Sequence, residues 1–370
     1  MTPKIVLIIP GKANPHRLNG VNKVVYSVAQ EIHNAGNPVD VWGISADTKV
    51  ETSYPFPLTL FQGSVRSFCL PEGFQDAITA QPAGTIFHLH GVMNPLYFTL
   101  ARYFKAQGLP YVVTPHGALL KRSLRRGFWY KYLYLILFEK NVLRNAKAIH
   151  CITDKEKSDL KKWCKPSRIK IIPNGTVIQK KHKRPHAKHE EPIFLFMGRF
   201  DIQHKGIDLV LAAFAAYHQK AHKGQLILVG RGYDEDWIKA RIRELHLSHK
   251  IRILPPQFDQ DKDDLLARVD IFVHPSRWDV LPTSTLEAAA AGLPLIISKA
   301  SGFGSKIHNY HAGWTTYTDH TSELAQKFLL AYKRWMQGKT IEIGRNAQKM
   351  IADHFLWSKI VPDYYEKLYD

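Results

Sequence analysis

FMGRFDIQHKGIDLVLAAF, residues 196–214, reads as a buried strand, a loop carrying Arg199 and Lys205, and then an amphipathic helix. An apolar run giving way to a 3.6-residue period is the βα unit of a parallel sheet. In open α/β sheets ligands sit outside the carboxyl ends of the strands. A helix N-terminus there favours phosphate, and two long cations beside it can grip a diphosphate. Taken alone, Arg199 and Lys205 read equally as ordinary loop cations.

Outward from this stretch the same unit recurs. KIVLIIP, PVDVWGI, TIFHLHG, PYVVTPHG, KAIHCIT and IKIIPNG precede it as short apolar runs. PIFLFMG, QLILVG, KIRIL, DIFVHP and PLIIS form a second series, with helical patterns between. Runs of this length with no alternation are strands buried on both faces. Two series predict two doubly wound domains, at 1–178 and 193–353, joined by a polar, two-proline linker at 179–192. The opening IVLIIP is too short for a signal peptide and reads as the first strand.

HPSRWDVLPTSTLEAAAAGLP, residues 274–294, carries two acids, Asp279 before a helix and Glu287 in its expected first turn. One carboxylate can take two hydroxyls of a ribose or hexose at once. Ser284-x-x-Glu287 is also a capping box, which leaves a structural reading of Glu287 open. A retaining glycosidase needs its carboxyls ~5–5.5 Å apart, whereas eight helical residues span ~12 Å. Hydrolysis is therefore the poorer reading of this pair.

The 370-residue chain carries a net charge of +19. Residues 1–190 hold 28 Lys and Arg against 11 Asp and Glu, and residues 191–370 hold 23 against 21. A basic first half suits a polyanion or an anionic membrane, or is simply a solvated basic face. Residues 117–147 concentrate the pattern, with eight Lys or Arg, one Glu and aromatics between. YLYLILF is too short to span a bilayer, so this segment is either an interfacial helix or a core helix with solvated flanks. Cys69, Cys151 and Cys164 lack CxxC spacing and read as buried thiols. His88, His90 and His116 fall at expected strand ends. They offer three ligands for zinc but no evident fourth, so no metal is expected. Position favours a functional His116, with His90 a weaker candidate on the acceptor side.

Taken in order, LNGVNKVVYSVAQEI, TPHGALL, CITDKEKSDL, IIPNG, GRFDIQHKG, LILVGRG and PSRWDVLPTSTLEAAAAGLP span nearly the whole chain. This ordered set resembles glycosyltransferase family 4, retaining enzymes of the GT-B fold. The resemblance implies two Rossmann-like domains facing a cleft, with residues 354–370 forming a helix that crosses back to the first. It implies that Glu287 holds the nucleotide ribose and Asp279 the donor sugar's hydroxyls. Arg199 and Lys205 would neutralise the diphosphate. Val280, Leu281 and Thr283 would lie along the donor, and His116 near the reacting carbon. Gly20, preceded by Asn19 where a second glycine is usual, would let the backbone approach the β-phosphate. The first acid is Asp rather than Glu, and Pro282 has no amide to offer the sugar.

The expected function is metal-independent, retaining transfer of a hexose-type sugar without a cofactor. The donor is a UDP-sugar, or a GDP-sugar, and the acceptor a glycan or lipid-linked glycan of cell-surface polysaccharide. The expected place is the cytoplasmic face of the plasma membrane, on anionic lipid. A nucleotide-sugar epimerase of the same fold is a rival. A basic nucleic-acid-binding protein is another, but it gives no reason for the paired cation and acid loops.

Overall fold

The structure, a computed structural model, describes residues 2–17, 19–50, 52–125, 127–165, 168–178 and 190–370. Most of the expected linker, residues 179–189, lies outside the described residues. The chain forms two compact units, Met1–Asn174 with Trp357–Asp370, and Gly175–Leu356.

In the first unit the strands are β1 (Ile5–Pro10), β2 (Val39–Ser45), β3 (Leu58–Gln62), β4 (Ile86–His90), β5 (Tyr111–Thr114), β6 (Ala148–Cys151) and β7 (Ile169–Ile171). They pair in parallel in the order β3-β2-β1-β4-β5-β6-β7. The second unit has β8 (Ile193–Met197), β9 (Gln225–Val229), β10 (Ile251–Leu254), β11 (Ile271–His274), β12 (Leu295–Ser298) and β13 (Gly313–Thr316). Its parallel order, β10-β9-β8-β11-β12-β13, repeats the same winding. In each sheet the order reverses beside the first strand, between β1 and β4 and between β8 and β11. Such a reversal opens a crevice at the strands' carboxyl ends.

Side chains of β1 are buried on both faces because helices cover both. The helix Gly20–Asn34 contributes Val24, Val25, Val28, Ala29 and Ile32 to one of these layers. It stops where Gly36 takes a φ of +74°. The helical segment beginning at Trp357 completes that layer. Trp357, Ile360, Val361, Tyr364, Leu368 and Tyr369 pack in one cluster with Ile5, Leu7, Val25 and Val28. Lys147 Nζ holds the segment's end through the carbonyls of Tyr369 and Asp370, at 2.7 and 2.9 Å.

The structure corrects several sequence expectations. β3 and β13 were not anticipated, and both are edge strands. Their half-exposed residues break the continuous apolar run that marks a central strand. Cys69 is exposed, unlike Cys151 and Cys164. His88 lies inside β4 rather than at its end. Residues 117–147 are part buried and part exposed. Leu135, Val142 and Leu143 are buried, while Trp129, Tyr130, Leu133, Ile136 and Leu137 are exposed. A π-helical turn at Leu135–Glu139 separates helices Phe128–Tyr134 and Lys140–Asn145. The extra residue in that turn lets Glu139 point inward, where it accepts from the Met93 amide at 2.8 Å. Burial pushes the Glu139 carboxyl up to about 7, opposed by that hydrogen bond.

Candidate active site

Arg199, Lys205 and Asp279 gather at the β8/β11 switch point. Beyond β8 the loop carries Arg199, which is exposed, and a single helical turn, Ile202–Lys205. Asp201 caps that turn by accepting from the His204 amide at 3.0 Å. Gly206 then turns the chain at φ +68°, and a Cβ there would stand 2.6 Å from the Pro275 carbonyl oxygen. Only glycine allows this loop to lie so close to the end of β11.

Beyond β11, Asp279 meets the first loop. Lys205 Nζ lies 2.5 Å from Asp279 Oδ2, and both side chains are largely buried. His274 Nε2 stands 3.6 Å and His204 Nε2 4.0 Å from the same oxygen. Burial alone would raise the Asp279 carboxyl, but Lys205 and the two imidazoles override it and hold it well below the carboxylate range. Burial, and Lys205 next to it, push His204 down to about 4. Burial likewise lowers His274, partly offset by Asp279. The acid thus sits between Lys205 and two imidazoles whose burial disfavours their charged form. His204 stacks on Trp278 with centroids 4.9 Å apart, and His274 stacks on Phe196 at 5.6 Å.

Arg277 locks the two loops together. Its guanidinium donates to both carboxylate oxygens of Asp208, at 2.9 and 2.7 Å, and to the Ile202 carbonyl at 2.6 Å. It also reaches Asp319 at 2.5 Å. The Asp208 hydrogen bonds raise its already high pKa.

The helix carrying Glu287 runs Thr283–Ala290, with Pro282 at the N-cap and no side-chain cap bond. The Ser284–Glu287 capping box therefore does not form. Ser284 is already inside the helix and Glu287 lies in its second turn. Glu287 Oε2 instead lies 3.4 Å from Lys262 Nζ. Val280 and Leu281 have buried side chains, which leaves only their backbone available to a ligand. Thr283 opens the helix, whose N-terminal amides favour negative charge.

On the first unit, Asn19 and Gly20 follow β1. Asn19 caps the helix through Oδ1, which accepts from the Val21 amide at 3.0 Å. A Cβ on Gly20 would meet nothing within 4 Å among the described residues. The fold itself does not demand glycine there, and open space is what a close ligand needs. His116, just past β5, takes φ +52° and is followed by Gly117 at φ +78°. Glu156 holds this turn, accepting from the amides of Gly117 at 2.5 Å and Ile152 at 2.7 Å. Burial raises the Glu156 carboxyl to about 7 against these two bonds.

Behind His116 lies a set of buried imidazoles. His90 Nδ1 is 3.0 Å from His116 Nε2. A separate chain runs through Tyr369 OH, His88, Thr114 and His150 to the Ile172 carbonyl, with links of 2.9, 2.6, 2.9 and 2.8 Å. The carbonyl can only accept, so His150 Nε2 donates to it. With His150 neutral, its Nδ1 accepts from Thr114, and the remaining links then run from Tyr369 towards Ile172. Burial favours the neutral forms, pushing His150 down to about 4 and His88 well below its usual value.

Sequence reasoning did not single out His204, His274, Arg277, Lys262, Glu156 or His150. The HPSR run held the signal for two of them, at the end of the strand that carries Asp279. Among the described residues no cluster of three or more His, Cys, Asp or Glu is arranged to hold a metal ion.

Residues 18–180 match the model of Glycosyltransferase Family 4, and residues 177–350 match that of Glycosyl transferases group 1. The chain is 25% identical over 372 aligned residues to the GDP-mannose:cellobiosyl-diphosphopolyprenol alpha-mannosyltransferase of Xanthomonas oryzae, covering 95% of this chain and 93% of that protein. It is 25% identical to the UDP-Gal:alpha-D-GlcNAc-diphosphoundecaprenol alpha-1,3-galactosyltransferase of Escherichia coli, over 73% and 71% of the two. In fold it is similar to WaaG, a glycosyltransferase involved in lipopolysaccharide biosynthesis, with a TM-score of 0.74 at 17% identity, over 98% and 99% of the two chains. It is also similar to Anabaena HepE solved with UDP and glucose, at 0.76 and 18%, over 99% of each. With consecutive models matched across two Rossmann-like units of the GT-B class, the chain belongs to glycosyltransferase family 4.

Proposed function

We propose that this glycosyltransferase moves a hexose-type sugar, with retained configuration, from a nucleoside-diphosphate sugar to a lipid-linked glycan acceptor of cell-surface polysaccharide. The observation that carries this reading is the convergence of Lys205 and Asp279, at 2.5 Å, on the β8/β11 switch point, beside Arg199 and ahead of a helix N-terminus. Arg199 and Lys205 take the diphosphate, and Glu287 takes the ribose. Asp279 takes sugar hydroxyls, with the backbone of Val280, Leu281 and Thr283 along the donor. His116 is the residue assigned to the reacting carbon and Gly20 to the β-phosphate side, with His90 and Asn19 as acceptor-side or weaker candidates.

The departing diphosphate gains charge in the transition state. Fixed cations and helix amides stabilise that charge without a metal ion, which is the basis for proposing a metal-independent reaction. UDP is the favoured donor nucleotide, supported by HepE, with GDP the alternative raised by the Xanthomonas relative. The diphosphopolyprenol acceptors in the names of two relatives support a lipid-linked acceptor.

No helix among the described residues is long and apolar enough to cross a membrane. The exposed Trp129, Tyr130, Leu133 and Leu137, with Lys121, Arg122 and Arg125 just before them, support docking on the anionic cytoplasmic face. Arg126, counted with them in the sequence, lies outside the described residues.

The test is product analysis of UDP- and GDP-sugars, each with and without a polyprenol-diphosphate glycan, in EDTA. Acceptor-dependent sugar transfer in EDTA is expected. Donor conversion to another sugar nucleotide without acceptor would make the protein an epimerase. Activity lost in EDTA and restored by Mg²⁺ or Mn²⁺ would overturn the metal-free reading.

A further inference from the structure

His90 ends β4 and His116 lies two residues past the end of β5, its neighbour in the sheet. His90 is fully buried, with one face stacked on His88 at 4.2 Å and its carbonyl accepting from Tyr97 OH at 3.0 Å. Its ring therefore has a fixed place. His116 is half-buried and held at positive φ by the turn that Glu156 clamps.

A hydrogen bond between His90 Nδ1 and His116 Nε2 needs one proton on the line between them. With both rings neutral, that proton belongs to one ring or the other. His90 Nε2 is buried with no hydrogen-bond partner among the described residues. If His116 supplied the proton, His90 would carry its own on Nε2, leaving a bare N–H in the interior. Buried donors left without an acceptor are the rarer and costlier arrangement. If His90 supplies it, only a lone pair is left bare. His116 then accepts at Nε2 and carries its own proton on Nδ1.

We infer that His90 is a positioning residue that fixes the tautomer of His116, so that His116 meets the substrate as a neutral Nδ1–H donor rather than as a base or a cation. The inference deepens the proposed role of His116 and rests on it. A neutral donor at that place suits a sugar hydroxyl, and adds no positive charge beside the reacting carbon.

The test uses the full-length protein labelled with ¹⁵N-histidine, with His116 assigned by its loss in His116→Ala. Nitrogen chemical shifts distinguish the two neutral tautomers. Wild type is expected to have His116 protonated at Nδ1. In His90→Leu that preference should collapse towards a mixture, with turnover of the lipid-linked glycan down ~10-fold or more, as for lost electrostatic preorganisation, and donor KM little changed. Once ionised, the Asp of His90→Asp offers only acceptors, so at a pH where it is charged it should force the proton onto His116 Nε2 and lower turnover, with circular dichroism checking that the fold is kept. A His116 already protonated at Nε2 in wild type would overturn the inference. So would an unchanged tautomer in His90→Leu. If His116→Ala keeps full turnover, the role of His116 itself fails, and the tautomer spectra still decide what His90 does.

Discussion

Lys205 and Asp279, seventy-four residues apart, share a 2.5 Å contact that ties the loop after β8 to the loop after β11. One residue is assigned to the donor's phosphates and the other to its sugar, so the two roles are coupled before any substrate arrives. Lys205→Ala should cost ~10²-fold or more in kcat/KM. It also removes the main influence that opposes burial of Asp279, whose carboxyl should then titrate higher. Residues in contact are not independent. Asp279→Asn should therefore cost much less in the Lys205→Ala background than in wild type. Additive losses in the four-member cycle would mean that the contact has no part in catalysis.

Glu287→Gln should weaken UDP binding by ~10-fold or more, as expected when a charge-assisted bond to a ribose becomes neutral. The helix N-cap is Pro282, so the substitution leaves the capping untouched. Its thermal midpoint should stay within a few degrees of wild type. Titration calorimetry with UDP, alongside thermal unfolding, checks both statements. Unchanged affinity would remove Glu287 from the donor site.

The first unit should lose stability as pH falls below about 6.5, the ordinary histidine value. His88, His90 and His150 are buried and held below that value, His150 at about 4. The unfolded chain then binds more protons than the native one, and stability rises with pH through this window. Glu139 and Glu156, raised to about 7, act in the opposite sense between about 4.5 and 7. His116, lowered by burial to about 3, joins the histidines. Four imidazoles against two carboxyls leave a net loss on acidification of ~3 kcal/mol per pH unit. Amide exchange in β4–β6 at pH 7 and pH 5.5 measures it. Protection that stays level or increases at pH 5.5 would contradict neutral, buried imidazoles at all four positions.

Binding to anionic vesicles should be strong at low salt and fade towards 1 M, as the Debye length falls from ~10 Å at 0.1 M to ~3 Å. Each cation near such a surface is worth ~1 kcal/mol. Replacing Lys121, Arg122, Arg125 and Arg126 with Gln should abolish co-sedimentation, while UDP binding to the second unit persists. Trp129→Ser with Tyr130→Ser should weaken it less and leave the salt dependence in place. If wild type ignores anionic vesicles at low salt, the exposed aromatics serve some other contact.

Most of the fold was legible because central parallel strands advertise themselves as apolar runs. β3 and β13 escaped notice because an edge strand, half exposed, can be as polar as LTLFQ or GWTT. Arg199, Lys205 and Asp279 could be singled out because loop charges next to strand ends are local patterns, and Glu287 because the family resemblance carries an acid at that spacing, here inside a helix. Their partners could not. Lys262 reaches Glu287, and Arg277 reaches Asp208 sixty-nine residues away, only once the sheet is wound. The capping box misled for a related reason. Pro282 fixes the start of the helix one residue before Ser284 could cap it, and the motif alone carries no such information. The histidine chain was hidden because His88, Thr114 and His150 lie on three successive strands, and their side chains meet only after the strands pair.

The contribution of Trp357–Asp370 to the first unit's core also sets an order of events at the ribosome. The residues that cover β1 and the helix Gly20–Asn34 emerge only after all of Gly175–Leu356 has been made. At typical synthesis rates that interval is roughly ten to forty seconds. The second unit is continuous in sequence and can complete its core first. The part translated earliest is thus finished latest, and through that interval its apolar layer depends on chaperones or on its own solubility.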